Sequence, residues 1–217
     1  MKIELYQSLY ERYSNLNLSF EEDRPVAIKG LEARLIRTFD TTGGFGIFDR
    51  YLHRCLLWQR SGDNLRRIIS FRKGHVPSWS WMAYNGGIRY MDVPFGEVVW
   101  SEDIISPYSE TSLENRRSID DGEMVPWIIA PAWDMLEPQN SHMILDEPNR
   151  AFTLPLKCVT VGKNKTPLLD GRLIHYVLII SSVSLAGGIE VYERIGVGFV
   201  EEQYILQSGL GIKAHIQ

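Results

Sequence analysis

The side chains able to do acid–base or nucleophilic chemistry in this 217-residue chain are scattered. Histidines, the usual general bases near neutral pH, stand at His53, His75, His142, His175 and His215, and no two have a metal-ligand spacing. His53 falls in a helical pattern, His75 precedes a strand-like run, and His175 alternates with apolar residues. These are settings for core or surface roles. Ser78 and Ser80 lie in a conspicuous Pro-Ser-Trp-Ser-Trp stretch, yet no G-x-S-x-G elbow surrounds them. Glu21, Glu22 and Asp23 gather where a helix begins and its dipole favours negative charge. Asp120, Asp121 and Glu123 belong to a polar stretch without a defined pocket. Cys55 and Cys158 are the only cysteines, and they form no C-x-x-C pair. Both sit in apolar patterns, as reduced core thiols do. Thr41 to Gly46, TTGGFG, lacks the Gly-Lys-Ser/Thr ending of a phosphate-binding loop, and no strand precedes it. The residues therefore predict no catalytic constellation, no metal and no cofactor: a protein that is not an enzyme.

Binding chemistry has more to work with. Six Trp and ten Tyr make the chain aromatic-rich, which suits sheet faces and a β-rich core. Two of the tryptophans, Trp79 and Trp81, fall at alternate positions and would share one face of a strand. With Tyr90 they could line an aromatic pocket, approached by Arg72 or Arg89 as an anion contact. Between Arg50 and Lys73, Arg54, Arg60, Arg66, Arg67 and Arg72 face few acids, which reads as a solvated surface or an anion or partner site. The net charge of -4 argues against broad nucleic-acid binding, which needs a basic field.

The elements that would position these residues are legible in outline. Ile3, Tyr6, Leu9, Tyr10 and Tyr13 mark an amphipathic first helix. Asp23 as N-cap places Pro25 in the first turn of a second helix running to about Thr38, in which Gly30 would let another backbone approach. Phe48, Tyr51, Leu52, Cys55 and Leu56 define a third helix ending near Trp58. Val76 to Asp92 reads as a β-hairpin, with Asn85 and Gly86 supplying the positive φ of a type I′ turn. Glu97 to Trp100 follows as a short strand, and 101–123 as a mobile polar excursion. Strands are expected over Val125 to Ala132, Phe152 to Val161, Leu173 to Ser181 and Ile189 to Val200. The third of these is apolar on both faces and so central. Gly187 and Gly188 make the turn before the last, where Gly196 and Gly198 mark a bulge or a bend.

This order predicts an α+β fold: a single domain over 1–217, with N-terminal helices (1–60) packed on a mainly antiparallel sheet (68–217) that forms a sandwich or partly open barrel. The N-terminus has no apolar h-region, and no apolar run reaches the ~20 residues of a membrane span. With reduced cysteines, these features predict a cytoplasmic protein that does not enter membranes.

Several stretches together resemble the C-terminal region of fungal heterokaryon-incompatibility proteins, the part that follows their HET domain. LYERYSNLNLSFEEDRPVAIKGLEARL carries Tyr13, Ser14, Asp23, Arg24, Ala27 and Gly30. FDRYLHRCLLWQR carries Leu57 and Trp58, and VPSWSWMAYNGGIRY carries Pro77, Ser78, Trp79, Ser80 and Trp81. YERIGVGFV carries Tyr192, Glu193, Arg194, Gly196 and Gly198. The HET domain itself, related to TIR domains, has no counterpart here. The resemblance implies a non-catalytic accessory or recognition module of non-self recognition and programmed cell death, acting by protein–protein contacts, with a HET domain in cis or in trans as partner. The other expectation, from the residues alone, is the small-ligand β-domain built on Trp79, Trp81, Tyr90 and an arginine.

Overall fold

The computed structural model describes residues 2–71, 74–109, 126–136, 142–150, 156–168, 171–186, 189–206 and 211–217. Its first helix, α1 (Lys2–Ser14), buries Tyr6, Tyr10 and Ser14, which at four-residue steps lie on one face. The second expected helix is two pieces, α2 (Arg24–Ala27) and α3 (Lys29–Phe39), preceded by a 3-10 turn at Glu21–Asp23. Pro25 does fall in the first turn of α2. No neighbour approaches Gly30, so its expected packing role is not realised. α3 ends at Asp40, whose φ of 52° is the left-handed geometry of a helix C-terminus.

The segment expected as one third helix, Phe48 to Trp58, is shared between four elements. The strands β1 (Gly43–Gly44) and β2 (Ile47–Phe48) form a small hairpin. Its central residues, Phe45 and Gly46, have φ of 52° and 83°, the positive pair that a two-residue type I′ turn requires. A 3-10 turn then leads into α4 (Leu52–Leu56), and Trp58 already belongs to the strand β3 (Trp58–Arg60).

Val76 to Asp92 is not a hairpin. Trp81–Ala83 is a 3-10 turn, capped by the Ser80 hydroxyl accepting from the Met82 amide, so no regular first arm exists. Beyond that turn, β5 (Tyr84–Asn85) pairs with β4 (Arg66–Arg67), whereas β6 (Ile88–Tyr90) pairs with β3. Each arm has found its own antiparallel partner. Of the two expected turn residues only Gly86 has positive φ, at 124°.

The larger sheet is a closed five-stranded barrel with extra strands. Its strands are β8 (Ile128–Met135), β10 (Lys157–Asn164), β11 (Ile174–Ala186), β12 (Ile189–Glu201) and β14 (Ile212–Ile216). The ring runs β8, β14, β12, β11, β10 and returns to β8 through the pairs Lys157 with Asp134 and Cys158 with Trp133. The mainly antiparallel sheet expected as a sandwich or partly open barrel is found curled into a barrel, closed through that short pairing alone. The β12–β14 pairing is parallel and the others in the ring are antiparallel. β7 (Val98–Trp100) extends the ring beside β10, β9 (His142–Leu145) lies on β12, and β13 (Ile205–Leu206) lies on β8. As the apolar run predicts, β11 is central, between β10 and β12. The bulge in β12 is real: Ile179 faces Gly196 and Ile180 faces Arg194, leaving Ile195 over.

One apolar core contains Tyr6, Tyr10, Phe39 and Trp81 from the first part of the chain together with Val159, Leu178, Tyr192 and Ile216 from the ring. Close contacts join α1 to β6 and α4 to β10. The expected strand starts at Val125 and Phe152, the Gly187–Gly188 turn and most of the 101–123 excursion lie outside the described residues. Among the described residues, no helix is long and apolar enough to cross a membrane.

Candidate functional site

The stretches singled out in the sequence meet at Arg194, on β12. A bulge turns this residue inward, and a charged side chain placed there needs partners for every donor. It has them. Nε donates to Asp146 Oδ2 at 3.0 Å and Nη2 to Asp146 Oδ1 at 3.0 Å, a bidentate pair. Nη1 reaches the Leu56 carbonyl at 2.7 Å and Nη2 the Trp58 carbonyl at 2.5 Å. The guanidinium carbon stands 3.3 Å from the centroid of the Trp58 ring. Arg194 and Asp146 have 0% and 1% of their side-chain surface exposed. Burial pushes the Asp146 carboxyl above its ordinary range, and Arg194 opposes that.

Around this pair, hydroxyl and amide groups tie together the same stretches. The Arg194 amide donates to Ser78 Oγ at 2.8 Å, and the Tyr84 hydroxyl reaches the Arg194 carbonyl at 3.5 Å. The Ser78 hydroxyl and amide both donate to the Gln217 carbonyl, and the Gln217 amide donates to the Tyr192 carbonyl. Trp58 Nε1 donates to the Trp79 carbonyl at 2.9 Å, and the Ser80 hydroxyl to the Phe45 carbonyl at 2.7 Å. Pro-Ser-Trp-Ser-Trp is thus a junction: each serine bridges two segments distant in sequence, and neither faces a base.

A second buried arginine gathers the earliest stretch. Arg24 places Nη1 and Nη2 each 3.1 Å from the Ser14 carbonyl, an otherwise orphaned acceptor at the C-terminus of α1. Its Nη2 also donates to Asn85 Oδ1 at 3.3 Å. Asn85 Nδ2 in turn reaches Glu21 at 2.7 Å, and Glu21 pairs with Arg66. The Tyr13 hydroxyl bonds the Arg24 carbonyl at 3.0 Å, and Ser14 Oγ accepts from the Ile88 amide at 2.9 Å.

The expected pocket residues are placed differently from one another. Trp79, Trp81 and Tyr90 are 0%, 1% and 8% exposed and belong to the core. They offer almost no surface to a ligand. Arg89 is exposed on β6, and Arg72 lies outside the described residues. The arginine-rich segment is committed to the fold. Arg50 reaches the Phe39 carbonyl, Arg54 the Val93 and Pro94 carbonyls, and Arg60 the Leu145 carbonyl and Asp63. Arg67 pairs with Glu193, which Arg150 also holds.

Burial pushes both cysteine thiols up to about 12, which keeps them protonated. His53 is lowered by burial, although its bond to the Ser101 carbonyl opposes this. His175 is also lowered, again chiefly by burial. Among the described residues, no group of three or more His, Cys, Asp or Glu could hold a metal. Asp146 went unnoticed in the sequence because it follows a short segment with no strand signal. Arg194 had one: a charge in the middle of a long strand whose burial is nearly continuous must be paired.

No family model matches the chain, and no curated protein and no solved structure is similar to it.

Proposed function

We propose that the chain is a non-catalytic recognition module of the heterokaryon-incompatibility type, with its helical third docked on the barrel, acting through protein–protein contacts. The observation that carries this reading is the convergence at Arg194 and Arg24. Ser14, Arg24, Trp58, Ser78, Trp79 and Arg194 carry the resemblance, and they bond to one another or share bonding partners. Motifs used for scaffolding fit a module whose role is to present surface. Enclosure of the Arg194 centre supports the same reading, because a group with no exposed surface does not meet a substrate. The partner on this reading is a HET domain, joined in the same polypeptide or supplied by another, and neither nucleic acid nor membrane is involved.

The test is direct association. A separately produced HET domain should bind the purified chain with micromolar or better affinity in calorimetry. Exchange of the exposed Arg89 for Glu reports whether β6 belongs to the contact. No binding by any HET domain tried, in cis or in trans, sinks the proposal.

A further inference from the structure

The outward side of β8 carries a site that the Arg194 centre does not use. Along this strand Ile128, Ala130 and Ala132 point into the main core. The alternate residues Ile129, Pro131 and Trp133, together with Ala130 between them, line a cavity of about 510 Å³ on the other side. That volume lies within the roughly 300–1,000 Å³ of ligand pockets. One flank is the segment Asp103 to Ile105, pinned to β8 by the Ile105 amide donating to the Ile129 carbonyl at 2.8 Å and the Ile129 amide to the Ile105 carbonyl at 3.3 Å. The other flank is β14, where Lys213 pairs with Pro131 and His215 with Ile129. Because Ile129 pairs with both Ile105 and His215, the flanks lie on opposite edges of β8. Two interstrand spacings separate them, on the order of 10 Å.

The floor is apolar and the rims are charged with opposite sign. Asp103 and Lys213 both line the cavity, both are exposed, and neither is in an ion pair among the described residues. The Trp133 indole N–H has no acceptor among the described residues. Gly211, at φ of 72°, lies against that indole edge, where a Cβ would come within 3.0 Å of the nitrogen. An apolar trough with a carboxylate on one bank and an ammonium on the other suits a ligand with an apolar body and a cation and an anion at its two ends.

We infer that this face of the barrel binds short apolar peptides with free ends, the N-terminal ammonium toward Asp103 and the C-terminal carboxylate toward Lys213. Two extended residues span about 7 Å, which the flexible lysine extends across the trough; a single amino acid, with adjacent charges, does not bridge it. The site does not rest on the module reading, and binding at one is independent of binding at the other.

The experiment uses the full chain and the dipeptide leucyl-leucine, with tryptophan indole N–H resonances and calorimetry as readouts. Leucyl-leucine should bind in the millimolar range. N-acetylation and C-amidation should each weaken it about two- to fivefold, as expected for exposed ion pairs. Asp103→Asn should erase only the penalty of acetylation, and Lys213→Met only that of amidation. Both side chains are exposed, so the variants should keep the wild-type spectrum. Four outcomes overturn the inference: no perturbation at millimolar dipeptide, equal binding of free and blocked ends, tighter binding of free leucine than of the dipeptide, or end-group selectivity that survives in both variants.

Discussion

The two buried arginines do the same job with different charge compensation. Arg194 has a carboxylate in direct bidentate contact, two carbonyls and an aromatic face. Arg24 rests on a helix-terminal carbonyl and an amide oxygen, and Glu21 is linked to it through Asn85. The first is a closed ion pair that joins β12 to the segment after β9 and to the end of α4. The second uses the negative end of a helix as its counter-charge. Among the described residues Arg24 has no carboxylate in direct contact and its Nε has no acceptor, so the two centres should respond differently when a partner is removed.

The sharpest way to break the comparison is to strip the anion from the first centre. Asp146→Ala leaves Arg194 buried without its counter-ion and should cost about 3–5 kcal/mol in denaturant unfolding. The double change Asp146→Leu with Arg194→Met should cost clearly less than the two single changes summed. If it does not, the ion pair is not the unit described. At the second centre, Arg24→Met should cost about 2 kcal/mol, the scale of hydrogen bonds to a charged group. Adding Asn85→Ala to Arg24→Met should then cost little more, because the two share one network. Full additivity would separate them.

A smaller effect is expected where β9 lies on β12. A Cβ at Gly198 would stand 2.6 Å from the His142 carbonyl oxygen and 3.1 Å from Met143 Cα, both backbone atoms. Gly198→Ala should cost about 1–3 kcal/mol as strain and selectively raise amide exchange in His142–Leu145. Unchanged protection of that strand would show that β9 yields freely. The smallest effect is the pH response. His53 and His175 are both held below the ordinary imidazole value, so below about pH 6.5 the unfolded chain binds more protons than the folded one. The contribution of these two histidines should fall as pH drops from about 6.5 toward their folded-state values and be flat between about pH 6.5 and about pH 7.5. The raised Asp146 and Glu32 carboxyls act in the opposite sense further into acid. A denaturant midpoint that rises between pH 7.5 and 5.5 would contradict this.

What could be read from the sequence follows from how local each signal is. α1 and the long strands β11 and β12 announce themselves through periodicity or continuous apolar runs, because their side chains alone decide their burial. The Asn85-Gly86 pair was misleading for a physical reason. Turn chemistry permits a hairpin, but β5 and β6 each have a longer-range partner, and the Asn85 amide is occupied by Arg24 and Glu21. The I′ turn forms instead at Phe45-Gly46, where a phenylalanine at positive φ gives no composition signal. β9, β13 and β14 were missed because two to five residues carry too little pattern, and closure of the ring depends on the two pairs between β8 and β10. Of the Arg194 centre, the sequence displayed the cation, Trp58 and Ser78, but not that they touch.

The parallel pairing of β14 with β12 has a consequence for the order of assembly. The ring cannot close, and Ser78 cannot find the Gln217 carbonyl, until residues 212–217 are free to fold back onto strands that begin near residue 128. The segment around Ser78, made earlier, must therefore wait for the last residues before its contact with the barrel is complete. Such long-range closure predicts slow folding, with an incomplete, open-edged barrel as the species most exposed to aggregation along the way.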